Sequence, residues 1–199
     1  MQISYIEKTG KYKLRITLDN DETFIISEKE WRRYGKEVGD ELSEADHNRL
    51  FNEYFLPKAK LRALNLLKMR DRSRKEIIQR LKNDGCPDEI IQKTLEYVDQ
   101  YHYLDDERFT RNYVEYRGTK KSLRELESEL AGKGIHLRSM AEEIEMELPD
   151  DRETIHRILE KKWGDHQPDQ REKDRMTRYL GRRGFRMSDI FYVYDNLDI

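Results

Sequence analysis

Residues 73–95, SRKEIIQRLKNDGCPDEIIQKTL, return in altered form at 122–144, SLRELESELAGKGIHLRSMAEEI, and again at 172–194, EKDRMTRYLGRRGFRMSDIFYVY. The register is set by Gly85, Gly134 and Gly184, which are 49 and 50 residues apart. Each glycine is followed by an apolar residue: Cys86, Ile135 and Phe185. Four residues before each stand Leu81, Leu130 and Leu180, and eight before stand Ile77, Leu126 and Met176. Six residues after come Ile91, Met140 and Ile190, and ten after come Leu95, Ile144 and Tyr194. Offsets of four on either side of a glycine describe one apolar stripe on each of two helices. The glycine takes the left-handed turn that ends the first helix. Ser73-Arg74-Lys75-Glu76 and Ser122-Leu123-Arg124-Glu125 are capping boxes that start those first helices. Asp169-Gln170-Arg171-Glu172 stands three residues earlier in its copy, which predicts a helix about one turn longer there.

Working outward, a third helix per repeat lies between these pairs. One begins at Leu104-Asp105-Asp106-Glu107 and runs through Phe109, Tyr113 and Tyr116. Another begins at Pro149-Asp150-Asp151 and runs through Ile155, Ile158, Leu159 and Trp163. Acids in the first turn favour both starts through the helix dipole. Gly164-Asp165-His166-Gln167-Pro168 reads as a loop. Upstream, Asp46 to Arg70 carries helical apolar spacing, with Pro57 marking a kink or break. Residues 3–8, 12–18 and 23–27 are instead short β-prone runs, and Leu14, Ile16 and Leu18 alternate with Arg15 and Thr17 as a half-buried strand does. Ser27-Glu28-Lys29-Glu30 then opens a short helix.

The expected fold is mainly α: three tandem three-helix repeats forming an elongated curved molecule, with a small N-terminal β-element. Its expected divisions are a β-rich leader with a short helix at 1–42, then repeats at 43–105, 106–150 and 151–199.

Composition suits thin helical layers. Of 199 residues, 40% are charged and 36% hydrophobic, yet the net charge is only −2 and there are 12 Tyr, 6 Phe and 2 Trp, too many aromatics for a disordered chain. The single cysteine, Cys86, excludes an intrachain disulfide and fits a reducing compartment. The N-terminus lacks a signal-peptide pattern, and no apolar run approaches the roughly 20 residues that cross a bilayer. The expectation is a cytoplasmic protein without membrane contact.

The near-zero total hides segregation. Lys58 to Lys82 holds ten Lys or Arg against Asp71 and Glu76, a local +8 that these two acids cannot neutralise. Glu125 to Asp150 has eight acids against Lys133 and Arg138, a local −6, and Arg171 to Arg186 has seven bases against Glu172 and Asp174, a local +5. Such polarity favours charged partners.

The chain resembles the RecX family over about residues 58–197. The resemblance rests on Ala63, Leu66-Leu67 and Arg70 leading into Arg72-Ser73, Glu76, Leu81 and Gly85. It continues through Leu104-Asp105-Asp106 with Phe109, Leu130, Lys133-Gly134-Ile135, Lys161-Lys162 before Trp163, and Arg182-Arg183-Gly184-Phe185. Thr110 stands where the family usually has Ala, and His102 where Gly is usual; residues 1–55 match only as a short β-rich leader. The resemblance implies a monomeric, non-enzymatic regulator of DNA recombination, repair and the SOS response. It would bind RecA or the RecA–DNA filament and limit filament growth, ATPase, strand exchange and co-protease activity.

The candidate partner-binding residues are Lys68, Arg70, Arg72, Arg74 and Lys75, with Lys120, Lys121 and Arg124 at the matching edge of the second repeat and Arg182 and Arg183 in the third. They would meet RecA or DNA phosphate. The plain alternative is a solvated face laced with salt bridges, and for Arg182 and Arg183 favourable charge at a helix end. Glu142, Glu143, Glu145 and Glu147 could meet basic loops of RecA or repel DNA but read first as a solvated face; Tyr97, Tyr101, Tyr103, Tyr113 and Tyr116 could offer stacking surfaces for bases, but most fall at helical spacing and read first as core. No catalytic or metal residue is expected: there is no phosphate loop or nucleophile elbow, and no histidine pair of zinc spacing. His102 reads as a turn residue. Two rival functions remain, a DNA-binding helix-turn-helix protein and a scaffold for another partner. Against the first, the second helices open with Pro87-Asp88-Glu89 or carry Glu142, Glu143 and Glu145, which a phosphate-lined groove repels.

Overall fold

The computed structural model describes residues 1–164 and 166–196, so Asp165 of the expected loop and residues 197–199 of the third repeat lie outside the described residues. The chain forms two compact units, Met1–Asp105 and Asp106–Ile199.

The first unit opens with an antiparallel sheet of β1 (Ile3–Gly10), β2 (Lys13–Leu18) and β3 (Thr23–Ser27) in that spatial order. Pairing of Ile16 with Phe24 and of Leu14 with Ile26 brings the alternating apolar residues to one face. The Ser27 hydroxyl accepts from the Glu30 N–H at 3.2 Å and starts α1 (Glu28–Trp31), although the Glu30 carboxylate pairs with Arg33 rather than closing the box. Next come α2 (Glu44–Arg49), a π-helical turn over Leu50–Phe55 and α3 (Leu56–Met69). The sequence predicts a kink or break at Pro57; the chain stays helical through it, but the regular α-helix is interrupted by the π-helical turn just before it. Widening the preceding turn relieves the clash between the proline ring and the carbonyl one turn back, and Pro57 falls in the first turn of α3. Helices α4 (Arg74–Asn83) and α5 (Asp88–Gln100) complete the repeat.

Sheet and helices share one core. Phe24 meets Phe51 and Phe55 with centroids 5.9 and 5.4 Å apart, and Ala63, Leu66, Ile77, Leu81, Ile91 and Val98 extend the same cluster. Each such Leu, Ile or Val side chain contributes about 1.5–3 kcal/mol by leaving water. The leader is therefore built into the first repeat rather than appended to it. At their join the Ile25 N–H donates to the Gly85 carbonyl at 2.9 Å.

The second unit comprises α6 (Asp106–Gly118), α7 (Leu123–Gly132), α8 (Leu137–Glu143), α9 (Asp151–Trp163), α10 (Gln170–Arg182) and α11 (Met187–Asp195). Two cores fill it. One holds Phe109, Val114, Leu126, Leu130 and Ile135; the other holds Ile155, Leu159, Trp163, Leu180, Phe185 and Ile190. The expected longer helix is α10, with 13 residues against 10 in α4 and in α7.

Gly85, Gly134 and Gly184 have φ of 81, 83 and 87°, and the next residues return hydrogen bonds to the carbonyls of Leu81, Leu130 and Leu180. That is the Schellman closure the offsets predict. The same closure ends α5, but its left-handed residue is His102 with φ 54°; Tyr103 N–H reaches the Val98 carbonyl at 2.8 Å. A side chain in that region costs about 1–2 kcal/mol, part of which glycine returns through unfolded-state entropy. His102→Gly is therefore expected to stabilise the protein by about 0.5–1 kcal/mol, read as a higher urea midpoint with unchanged slope. A lower midpoint would mean that the exposed imidazole makes a useful contact.

Candidate functional site

In the first unit the expected cations lie on α3, α4 and the turn between them. Lys68 ends α3 and Lys75 begins α4; both are exposed, and neither has an ion pair among the described residues. Arg70 stands 3.8 Å from Glu76, while Arg74 bonds Asp99 at 2.7 Å. Arg72 is half-buried and its Nε donates to the Leu66 carbonyl at 3.4 Å; burial, followed by repulsion from Arg70, holds its guanidinium below the usual range. Arg62 pairs with Asp84 and Lys82 with Asp88, at 2.8 and 3.1 Å. The local excess of positive charge is thus relieved by Asp84, Asp88 and Asp99, acids beyond the Lys58–Lys82 segment. Such exposed pairs are worth about 0–1 kcal/mol each, so a partner's acids can replace them at little cost.

In the second unit Lys120, Lys121 and Arg183 come together although more than 60 residues separate the ends of the set: the Lys120 carbonyl accepts from the Arg183 guanidinium. All three line one open groove of about 670 Å³. Lys121 is largely sequestered there, donating to Glu125 at 2.7 Å and to Glu129. Burial pulls its pKa down, but the bonds to Glu125 and Glu129 outweigh it, and the ammonium titrates above its ordinary range. Arg183 also reaches Glu125 at 3.4 Å and the Tyr179 hydroxyl at 2.9 Å. Arg183 thereby ties the third repeat to the second, while Lys121 pairs within the second repeat, with Glu125 and Glu129 of α7. Arg124 lines a different cavity, of about 650 Å³, which includes Glu127, Asp150, Asp151 and Asp189; Arg182 is exposed.

The tyrosines depart from expectation. Tyr101, Tyr103 and Tyr116 are 53, 46 and 69% exposed and do not fill the core; Tyr97 and Tyr113 are half-buried. Helical spacing alone does not separate them, because a phenol at the end of a helix keeps its hydroxyl wet at no cost in packing. Instead Tyr101 packs near Tyr97 and stacks on Tyr103, with centroids 4.9 and 6.0 Å away. Sequence reasoning also missed Arg117, Arg157, Lys161 and Tyr179, which line the same groove as Lys120. The only local signal for any of them was the Lys161-Lys162 pair.

Cys86 is partly buried, and its burial, then Asp84 and Asp88, push the thiol up to about 12. At neutral pH such a thiol carries almost no nucleophilic thiolate. Glu142, Glu143, Glu145 and Glu147 are all exposed, as a solvated face requires. Among the described residues no three His, Cys, Asp or Glu side chains are grouped to hold a metal, and no helix is long and apolar enough to cross a membrane.

Comparison with known proteins matches residues 59–97 to the first three-helix domain of RecX and residues 150–194 to the third. A regulatory protein RecX from Prosthecochloris aestuarii is 33% identical over 142 residues, covering 70% of this chain and 93% of the relative. One from Caldanaerobacter subterraneus is 26% identical over 187 residues, 92% of each chain. A crystal structure of regulatory protein RecX superposes with a TM-score of 0.57 at 22% identity and covers 98% of both chains, which shows a shared fold.

Proposed function

The chain belongs to the RecX family, and on that premise we propose that it is a regulator that binds RecA or its filament on DNA and limits filament growth, ATPase, strand exchange and co-protease activity. The observation that carries the reading is similarity to a regulatory protein RecX along 92% of both chains. The surface chemistry supports contact with a protein. Lys68 and Lys75, with no ion pair among the described residues, flank a turn, and the neighbouring Arg70–Glu76 and Arg74–Asp99 pairs are weak enough to exchange partners.

Of the two rivals, a helix-turn-helix reader of duplex DNA fits less well. Helix α5, the second of its pair, opens with exposed Asp88 and Glu89, which would face phosphates. A scaffold for an unrelated partner has no feature that favours it over the family reading.

The test is the single-stranded-DNA-dependent ATPase of RecA from the same organism, titrated with this chain at about 150 mM salt, where weak phosphate contacts are screened. ATPase is expected to fall at amounts well below RecA, too low to coat the DNA. Lys68→Glu with Lys75→Glu is expected to raise the half-inhibitory concentration about tenfold, as loss of a steering charge pair does. Unchanged ATPase at a molar excess of the chain would remove the proposal.

A further inference from the structure

The basic groove of the second unit has a composition that regulation of a protein does not require. Beside the paired Lys121 and Arg183, its other cations come from three places: Arg117 at the end of α6, Lys120 in the following turn, and Arg157 with Lys161 one turn apart on α9. Among the described residues no carboxylate lines it. Among the described residues Lys120 and Lys161 have no acidic partner, Arg117 makes no ion pair although its charge acts on Glu129, and Arg157 donates to the Thr119 carbonyl at 3.4 Å. Four exposed cations thus stand together with no ion pair among the described residues, at a cost in mutual repulsion that an anion lowers.

Two tyrosyl rings stand among them. Tyr116 is 69% and Tyr179 39% exposed. Lys120 Nζ is 5.2 Å from the Tyr116 ring centroid, and the Arg183 guanidinium is 5.5 Å from that of Tyr179 while bonding its hydroxyl. Each ring is therefore an exposed π-face with a cation beside it, and Arg183 is fixed by Glu125 and the Lys120 carbonyl. A planar, weakly polar group stacked on a tyrosine next to a phosphate matches both features. An acidic peptide matches only the charge.

We propose that this groove binds single-stranded nucleic acid, with phosphates against Arg117, Lys120, Arg157 and Lys161 and unpaired bases stacked on Tyr116 and Tyr179. A duplex hides its base faces and so gains only the phosphate contacts. The site is independent of the RecA reading, since it needs no recombinase.

The experiment is fluorescence anisotropy of a labelled oligothymidylate with the full chain and no RecA, across a salt series. Binding to the single strand is expected to exceed binding to a duplex of equal length. Tyr116→Leu, an exposed site, is expected to weaken it at least about fivefold and leave the salt slope unchanged. Lys120→Gln with Lys161→Gln is expected to lower the slope of log K against log salt by about 1.4, at roughly 0.7 per phosphate contact. No anisotropy change at about 50 mM salt overturns the proposal. So does equal binding of duplex and single strand with no effect of Tyr116→Leu, and so does displacement of the oligonucleotide by polyglutamate or by ATP at matched charge.

Discussion

Gly85→Ala is expected to lower the free energy of unfolding by about 3 kcal/mol, the sum of a left-handed side chain at about 1–2 and local overpacking at about 1–3. Both causes act at this residue. Its φ is 81°, and a Cβ there would lie 2.2 Å from the Ile25 Cβ. The obstacle is the root of a β-branched side chain on β3, which is held in place by the bond from its own N–H to the Gly85 carbonyl. Rotamer change cannot relieve the clash, so β3 must shift and the shared core must open. Gly132→Ala is the internal control: Gly132 ends α7 and nothing lies within 4 Å of its would-be Cβ. There alanine is expected to be neutral or stabilising by up to about 1 kcal/mol. Urea unfolding followed by circular dichroism reads both. A Gly85→Ala loss below about 1 kcal/mol would mean that the leader is not packed on the first repeat as described.

Ser122→Ala is expected to cost about 2 kcal/mol, from a lost cap worth about 1 and a carbonyl left without its donor. The buried Ser122 hydroxyl accepts from the Glu125 N–H at 3.1 Å and donates to the Arg183 carbonyl at 2.6 Å. One atom therefore starts α7 and ties it to the end of α10. A Cβ on Gly184 would meet that same hydroxyl oxygen at 3.0 Å, so Gly184→Ala and Ser122→Ala act on one contact. Their combined cost is expected to fall short of the sum by at least about 0.5 kcal/mol. Strict additivity would show that the two sites do not touch.

These same residues show what a sequence does and does not disclose. The glycine offsets identify the repeat because a left-handed turn is a local demand that few residues meet. The two-faced role of Ser122 is not legible, because Glu125, which a capping box would send back to the Ser122 N–H, is taken by Lys121 and Arg183. The leader's union with the first repeat is equally hidden: nothing near Ile25 in sequence indicates that Gly85 lies against it. The groove escaped for the same reason, since Arg117 and Lys120 meet Arg157, Lys161 and Tyr179 only through the packing of α6, α9 and α10. Lys68 and Lys75, by contrast, were visible as part of a charge run, and the fold leaves them exposed on either side of one turn.

The central claim, that this chain acts on RecA, is tested most directly by measuring association of the two purified proteins by interferometry, with and without single-stranded DNA. The measurement is made at a salt concentration where the chain alone does not bind DNA. The account predicts saturable association with RecA that Lys68→Glu with Lys75→Glu weakens and Lys120→Gln with Lys161→Gln leaves intact. Absence of association with RecA in both its free and its DNA-bound forms would contradict it.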